Sequence, residues 1–358
     1  MDRKTIAVIY SSDISKMTKT LLEYVKVEDD IKDKNREILL KPNLVIAATP
    51  EGGATTHTEI ISTIITYLKE KGFNNIKIIE SAWVGDSTER GFKVNHYERF
   101  GVPLIDVKKD KYRKVTSEGI TMEVSERLFH DSYLINLPVL KGHCQTNMTC
   151  AMKNLKGLLS DRSKRQFHTL GLMKPIAALN AVIKPNLTIV DSICGDLDFE
   201  EGGNPVISNR MLACKDSVLL DSYCASLLGF SLDDVPYIEL GEEYGAGSTK
   251  LESASIVMLS KPEEATSTHP TGEARVLSQY TEQDRACSAC YASLIHALKR
   301  LDEEGSLYRL RGKKIAVGQG FRGKHPEIGC GACCMGAHYS VKGCPPTASN
   351  ILSLLNSL

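Results

Sequence analysis

The sequence predicts an α/β fold: an open, largely parallel or mixed sheet flanked by helices, joined to a small C-terminal cysteine-rich α/β domain. Three observations carry this. Short β-branched runs alternate with helical patterns through the first half of the chain, the order that builds such sheets. Several apolar strands break off on polar residues, as they do where open α/β sheets bind ligands. Past residue 250 the character changes, and six of the eleven cysteines lie in that last segment.

The elements follow in order. The charged start Met1-Asp-Arg-Lys passes directly into a strand, and Ile38-Leu-Leu-Lys41 is the next, closed by Pro42. Residues 58–71 place Ile60, Ile61, Ile64, Ile65 and Leu68 at helical spacing and end at Gly72, a natural C-cap. A strand at 76–79, a short helix at 94–100 and a strand at 104–107 come next, then an apolar inner strand at 133–140. Residues 174–182 form a helix with Pro175 in its first turn, where proline is tolerated. A strand at 187–190 is followed by Leu212-Ala-Cys-Lys215, which leads into a helix at 217–228 capped by Gly229.

Beyond the boundary near 250 the pattern gives a strand at 256–259, a polar Pro- and Thr-rich stretch at 261–271, and a helix carrying Cys287 and Cys290 to about 301. A strand at 313–317, about 25 residues of Gly- and Cys-rich loop and a closing helix at 347–355 complete the chain. The expected division is 1–250 and 251–358. Leu40-Lys-Pro-Asn-Leu44 echoes Ile183-Lys-Pro-Asn-Leu187; chance is the better reading than a duplicated half.

With 42% hydrophobic and 25% charged residues the composition is that of an ordinary globular protein. Zero formal net charge gives no support to nucleic acid or an anionic membrane as partner. The N-terminus lacks the apolar run and cleavage site of a signal peptide, and no stretch approaches the roughly 18 apolar residues of a membrane span. The expected location is cytoplasmic, where disulfides are disfavoured. The cysteines are then free thiols or metal ligands.

Their spacing points to metal. Cys287-Ser-Ala-Cys290, Cys330-Gly-Ala-Cys333-Cys334 and Gly343-Cys344-Pro345-Pro346 are two CxxC pairs and a Cys-Pro, the usual grip on an iron–sulfur cluster or a zinc ion. A [4Fe–4S] cluster needs four thiolates. Cys287, Cys290 and Cys344 are the leading candidates, with the fourth from Cys330 or Cys333. Adjacent Cys333 and Cys334 point in different directions in most backbone conformations, which makes Cys334 a spare thiol. Glycines around the second pair and the distant Cys-Pro favour cluster-wrapping loops over zinc, the alternative.

Val341-Lys-Gly-Cys-Pro-Pro-Thr-Ala-Ser-Asn-Ile-Leu352 resembles the Gly-Cys-Pro-Pro helix start of hydrogenase small subunits and of a complex I subunit. More broadly the chain resembles the domain-of-unknown-function 362 family. The matching residues are Lys41-Pro-Asn43, Thr56-His57, Leu140-Lys-Gly-His143, Lys153-Asn-Leu-Lys-Gly157, Asp191, Glu201-Gly-Gly-Asn-Pro205, Cys287-Ser-Ala-Cys-Tyr291 and Gly318-Gln-Gly-Phe-Arg-Gly323. The resemblance implies an α/β domain joined to a cluster-bearing domain and implies no reaction.

Gly318-Gln-Gly320-Phe-Arg-Gly323 also fits the dinucleotide fingerprint. That motif works only where its last glycine opens a helix toward the pyrophosphate. Pro326, Gly329 and Gly331 follow at once, so the reading here is a glycine loop lying against the cluster.

A second site is expected in the first domain. Lys41, Asn43, Lys141 and His143 each follow a strand, and His57 precedes a helix. Lys153, Asn154, Lys156, Arg162, Lys164 and Arg165 follow, with Asp161 the lone acid between 150 and 165. Such a local excess of cations suits a small anionic molecule, carboxylate or phosphate. Lys164 and Arg165 read better as a solvated helix face. Asp191 ends a strand, and Glu200-Glu201-Gly-Gly is an acidic loop able to hold a metal or a substrate amine. His143, Lys141 and His57 are the acid–base candidates, and Lys41, Asn43, Lys153, Asn154, Asp191 and Glu201 the binding candidates. No nucleophile elbow, Walker loop or HExxH appears.

These readings converge on a [4Fe–4S] oxidoreductase that exchanges electrons with a small anionic substrate. One alternative is a ferredoxin-like carrier that docks a redox partner protein. Another rests on the strand, polar turn, Thr-rich helix start and Glu80-Ser-Ala strand end, which are distantly similar to the first domain of nickel-pincer lactate racemases; that likeness implies a metallocofactor-dependent isomerase.

Overall fold

In a computed structural model, which describes residues 1–262, 272–310 and 312–358, the apolar runs become strands in chain order. They are β1 (Thr5–Tyr10), β2 (Glu37–Pro42), β3 (Ile76–Glu80), β4 (Leu104–Asp106), a hairpin of β5 (Tyr112–Ser117) and β6 (Ile120–Ser125), and β7 (Ser132–Leu137). A ribbon of β8 (Lys141–His143) and β9 (Asn147–Thr149) follows, then β10 (Leu187–Asp196), β11 (Pro205–Cys214) and β12 (Ser255–Met258). Eight of these form one sheet in the order β12-β1-β11-β10-β7-β2-β3-β4. Its pairings are parallel except at β11, which runs antiparallel to both β1 and β10. The sheet is mixed, as the sequence predicts.

Strand alternation explains why helices cover both faces. Successive side chains point to opposite sides, so Ala7, Ile9, Ile38, Leu40 and Ile78 pack with Leu21, Leu22, Ile60, Ile61 and Ile64 of the helices Ile14–Val25 and Thr58–Glu70. Ile6, Val8, Leu39 and Ile79 face the other way, onto Ile176, Leu179, Leu220 and Leu228 of the helices Met173–Val182 and Ser217–Leu228. Two-sided burial is what makes these strands read as continuous apolar runs.

The C-terminal sheet is fully parallel: β13 (Thr281–Gln283), β14 (Ile315–Val317), β15 (Ile328–Cys330) and β16 (Tyr339–Val341). The helices Ser288–Glu303 and Ala348–Asn356 pack on it through Leu294, Ile295, Leu298 and Ile351. Leu197, just after β10, and Val206 of β11 join the same core. Thr347, just after Gly-Cys-Pro-Pro, caps the last helix by accepting the Asn350 N–H at 3.2 Å.

Several expectations need correction. The helix expected at 94–100 lies at Thr88–Val94, started by Ser87 accepting the Arg90 N–H, and His96 in the left-handed conformation (φ 52°) separates it from a 3-10 turn at Tyr97–Phe100. The strand expected at 187–190 runs on to Asp196 because β11 pairs along it. The loop after 317 contains β15 and β16, three residues each. The strand at 255–258 follows the boundary expected near 250 yet pairs with β1 in the large sheet. Leu40–Leu44 leaves a strand whereas residues 183–187 enter one, so the two Lys-Pro-Asn segments are not equivalent. The Pro- and Thr-rich stretch lies, beyond 262, outside the described residues. Among the described residues no helix is long and apolar enough to cross a membrane.

Candidate functional site

The parallel strands β2, β3 and β7 all end on the same edge, and a cavity of about 570 Å³ opens there, the place where open α/β sheets bind ligands. Lys41 and Asn43 come from the end of β2, and Glu80, Ser81 and Trp83 from the end of β3. His143 and Gln145 come from the β8–β9 ribbon, and Lys153, Asn154, Lys156 and Gly157 from the helix Ala151–Asn154 and the turn after it. Lys164, Arg165 and His168 lie on the helix Asp161–Thr169, and Glu200 and Glu201 on the β10–β11 turn. A depression of similar volume beside Glu89, Asp106 and Arg127 has charged groups that are all exposed or half-buried.

Polar groups in the cavity wall are held in networks. Lys41 is fully buried and donates to Glu80 Oε2 at 2.6 Å, to the Pro42 carbonyl at 2.8 Å and to Asn154 Oδ1 at 3.3 Å. Asn154 in turn donates to Asn136 Oδ1 at 2.8 Å. Gly157 is required here, since a Cβ on it would come within 1.8 Å of Glu80 Oε1. Glu200 receives Lys153 at 2.5 Å and meets His143 Nε2 at 3.1 Å, while the Gln145 and Thr146 N–H groups donate to His143 Nδ1. This leaves Nε2 as the protonated ring nitrogen of the neutral tautomer. Burial pushes the His143 pKa down, which keeps it neutral at physiological pH.

Lys153, His143 and Lys141 outweigh the cost of burial and hold the Glu200 carboxyl well below its usual range. A carboxyl depressed in the folded state contributes stability above its unfolded pKa of about 4.3 and loses it as the pH falls toward the folded value. Urea unfolding between pH 3 and 5 should therefore show a steeper loss of stability on acidification for the wild type than for Glu200→Gln. Equal slopes would remove Glu200 from this account.

The residues predicted from sequence divide in two. Lys41, Asn43, His143, Lys153, Asn154 and Glu201 line the cavity. Lys141 is fully buried and donates to the Ala54 and Glu200 carbonyls at 2.6 and 2.7 Å, pinning the Glu200 turn from behind. Burial pushes it down to about 7. His57 and Asp191 form a separate pair, with Asp191 Oδ2 accepting from both the backbone N–H and Nδ1 of His57 at 2.8 Å.

Lys164 is a correction: it is buried, not solvated, and donates to the Ser81 and Ala82 carbonyls at 3.1 and 2.7 Å. Arg165, read the same way, is exposed but lines the cavity. Glu80 and His168 are cavity residues that the sequence reading misses, while Glu200 belongs to the acidic loop expected to bind a metal or an amine and instead holds Lys153 and His143. Glu80 carries the same signal as Lys41, a charge ending an apolar strand, and the two meet because their strands are neighbours.

The cysteines gather at the other side of the large sheet's carboxyl edge. Cys290 is raised by burial and by the thiols of Cys330, Cys287, Cys344 and Cys333 around it. Cys287 caps the helix Ser288–Glu303 at its N-terminus, and Gln319 Nε2 lies 3.9 Å from its sulfur. Arg322 has Cys333, Cys344 and Cys287 for neighbours. Tyr10 has Arg210, Cys290 and Cys344 for neighbours. Cys334 is buried and faces the Gly318 carbonyl at 3.9 Å. Glycine at 318 and 320 lets the loop press on Asp284 and Ala286, since Cβ atoms there would fall within 2.2 Å of Asp284. A single 3-10 turn, Gln319–Phe321, follows Gly318. Among the described residues no group of three or more His, Cys, Asp or Glu side chains is arranged to hold a metal ion.

A thylakoid-associated protein of Synechocystis is 24% identical, over 65% of this chain and 76% of its own length. The lactate racemase apoprotein of Thermoanaerobacterium thermosaccharolyticum superposes with a TM-score of 0.42 at 13% identity, over 63% of this chain and 58% of that one. A Thermotoga maritima protein gives 0.35 at 14% identity, over half of each chain. This chain thus spans less than two thirds of either solved structure. The model of a domain of unknown function, DUF362, matches residues 38–226, more than half of the chain and the segment that builds the whole cavity, and the protein belongs to that family.

Proposed function

We propose that the protein is a cytoplasmic iron–sulfur protein that exchanges electrons with a small carboxylate- or phosphate-bearing molecule held in the lysine-walled cavity. The observation that carries the substrate class is the convergence of Lys41, Lys153, Lys156, Lys164 and Arg165 on one cavity in a chain of zero net charge. Among the described residues only Glu80, Glu200 and Glu201 oppose them there, so the wall favours an anion. Neutral His143, hydrogen-bonded to Glu200, is suited to move a proton at the ligand.

Support for a cluster comes from the kind and number of the thiols near Cys290. Cys290 has four others about it, and buried Arg210, which shares the neighbour Tyr10 with Cys290 and Cys344, keeps its Nη1 without a hydrogen-bond partner among the described residues, a cationic donor for sulfurs that would carry negative charge. Cys287, Cys290, Cys333 and Cys344 are the better four. Arg322 and Cys290 both have Cys333, Cys344 and Cys287 for neighbours, whereas Cys330, although also beside Cys290, is 2% exposed and packed into the apolar core. When bound, a cluster supplies one-electron exchange; zinc, the competing occupant, does not. A redox-neutral isomerase is the second reading, favoured by the buried acid–base pair of His143 and Glu200.

Anaerobic purification tests the proposal. It expects a brown protein with about four iron and four acid-labile sulfide per chain, and calorimetric binding of inorganic phosphate or pyruvate that Lys153→Met weakens about tenfold without changing the iron content. Colourless protein with one zinc per chain would sink the redox reading. Iron without anion binding would favour the electron carrier.

A further inference from the structure

The cavity holds four lysines, and three are committed to fixed partners. Lys41 is paired with Glu80, Lys153 with Glu200, and Lys164 with Ser81 and the Ala82 carbonyl. Lys156 is different. Among the described residues no carboxylate lies within salt-bridge distance of it, and its Nζ stands 3.4 Å from His168 Nε2. Its backbone is fixed all the same. It lies in the 3-10 turn Leu155–Leu158, whose Gly157 is pressed against Glu80 and accepts the Ser81 hydroxyl at 2.8 Å. The side chain is thus a half-buried amine on a rigid turn, without a counter-ion, at the wall of a cavity built for anions.

Physical chemistry gives such an amine an unusual charge state. Burial first, then the positive charges of Lys153 and Lys164 against the single opposing Glu200, push Lys156 down to about 7. A large share of it is therefore the free amine at neutral pH, the form in which lysine is a nucleophile. Its neighbour His168 is likewise pushed below its ordinary value, by burial and by Lys156 and Lys153, so it stays neutral and able to accept a proton.

Resting on the reading of this cavity as an anion site, we infer that Lys156 forms a Schiff base with a small aldehyde or ketone that carries a carboxylate or phosphate, with His168 as its proton partner. The amine attacks the carbonyl carbon, a C–N bond forms, and the π pair moves onto oxygen. His168 takes a proton from nitrogen and returns it to that oxygen, giving the carbinolamine. One further proton, from solvent, lets the hydroxyl leave as water while the nitrogen lone pair forms the C=N bond, which gives the iminium. No oxidant or reductant is needed. Arg165 and Lys153 face the anionic group of the ligand.

The test is reductive trapping on the full chain at pH 7.5. Pyruvate or glyceraldehyde 3-phosphate is added with sodium cyanoborohydride, and the adduct is located by peptide mapping. The expected result is one adduct per chain at Lys156, formed at least tenfold faster than at the exposed Lys19 or Lys93. Lys156→Arg should abolish it, and His168→Gln should slow it at least tenfold while phosphate binding measured by calorimetry is retained. Adducts spread over exposed lysines, with phosphate still bound, would overturn the Schiff base and leave the anion site standing. Absence of both selective labelling and phosphate binding would overturn both. Mapping on the wild type decides between these outcomes even if a variant fails to fold.

Discussion

Replacing Glu80 with alanine should destabilise the fold by about 3–5 kcal/mol, the cost of breaking a buried ion pair and leaving one charge uncompensated. Lys41 and Glu80 are 0% and 2% exposed and join the ends of adjacent parallel strands. The two partners are not equivalent. With Lys41 removed, the Glu80 carboxylate keeps the Ser81 and Leu44 N–H groups, at 2.7 and 3.3 Å. With Glu80 removed, the ammonium keeps only the Pro42 carbonyl and Asn154 Oδ1, so Glu80→Ala should cost more than Lys41→Met. The sign of the pH dependence follows. Burial lowers the Lys41 pKa and Glu80 opposes that, so the variant's lysine sits further below its unfolded value of about 10.4. The unfolded state then binds more protons, and stability rises with pH. The deficit of Glu80→Ala should therefore shrink between pH 7 and 9 in urea unfolding, and the double variant Lys41→Met/Glu80→Leu should recover most of it. A Glu80→Ala deficit under 1 kcal/mol would show that the pair does not hold the strand ends.

What the sequence revealed and what it hid have physical reasons. Helices with an amphipathic stripe and a clear stop, such as 58–71 before Gly72 (φ 83°), are encoded locally and were legible. Short strands were not. The β5–β6 hairpin carries Arg113, Lys114 and Glu123 and lacks a two-sided apolar run, while β15 and β16 have three residues each and exist because β14 offers an edge to pair with. In the site, the strand-end rule found Lys41, Asn43 and His143. It equally marked Lys141, His57 and Asp191, which the fold uses as internal pins away from the cavity wall. A charge ending a strand shows that something polar must be met there, and only the fold shows whether that is a ligand or a backbone carbonyl. Lys164 failed in the opposite direction. A helix of mostly charged residues looks solvated in sequence, but its N-terminal turn lies over Ser81 and Ala82, and three buried carbonyl and hydroxyl oxygens replace water around the amine.

Loss of a single thiol should divide the six C-terminal cysteines sharply. Cys290→Ala should abolish iron incorporation on anaerobic reconstitution, since this sulfur is the one that the other thiols surround. Cys287→Ala and Cys344→Ala should do the same, each being near both Cys290 and Arg322. The informative contrast is Cys333 against Cys330. Cys333 is half-buried and beside Arg322, so its sulfur is accessible to an incoming cluster and has a guanidinium at hand. Cys330 lies in β15 with Ile328, inside the apolar core and 2% exposed, which leaves its sulfur little access for an incoming cluster. Cys333→Ala should therefore lose the visible absorption of the reconstituted cluster, and Cys330→Ala should keep it with reduced thermal stability, as expected for a small core residue. Cys334→Ala should keep it as well. The reverse pattern, cluster lost with Cys330→Ala and kept with Cys333→Ala, would place the fourth ligand on β15 and require that strand's edge to open when iron enters.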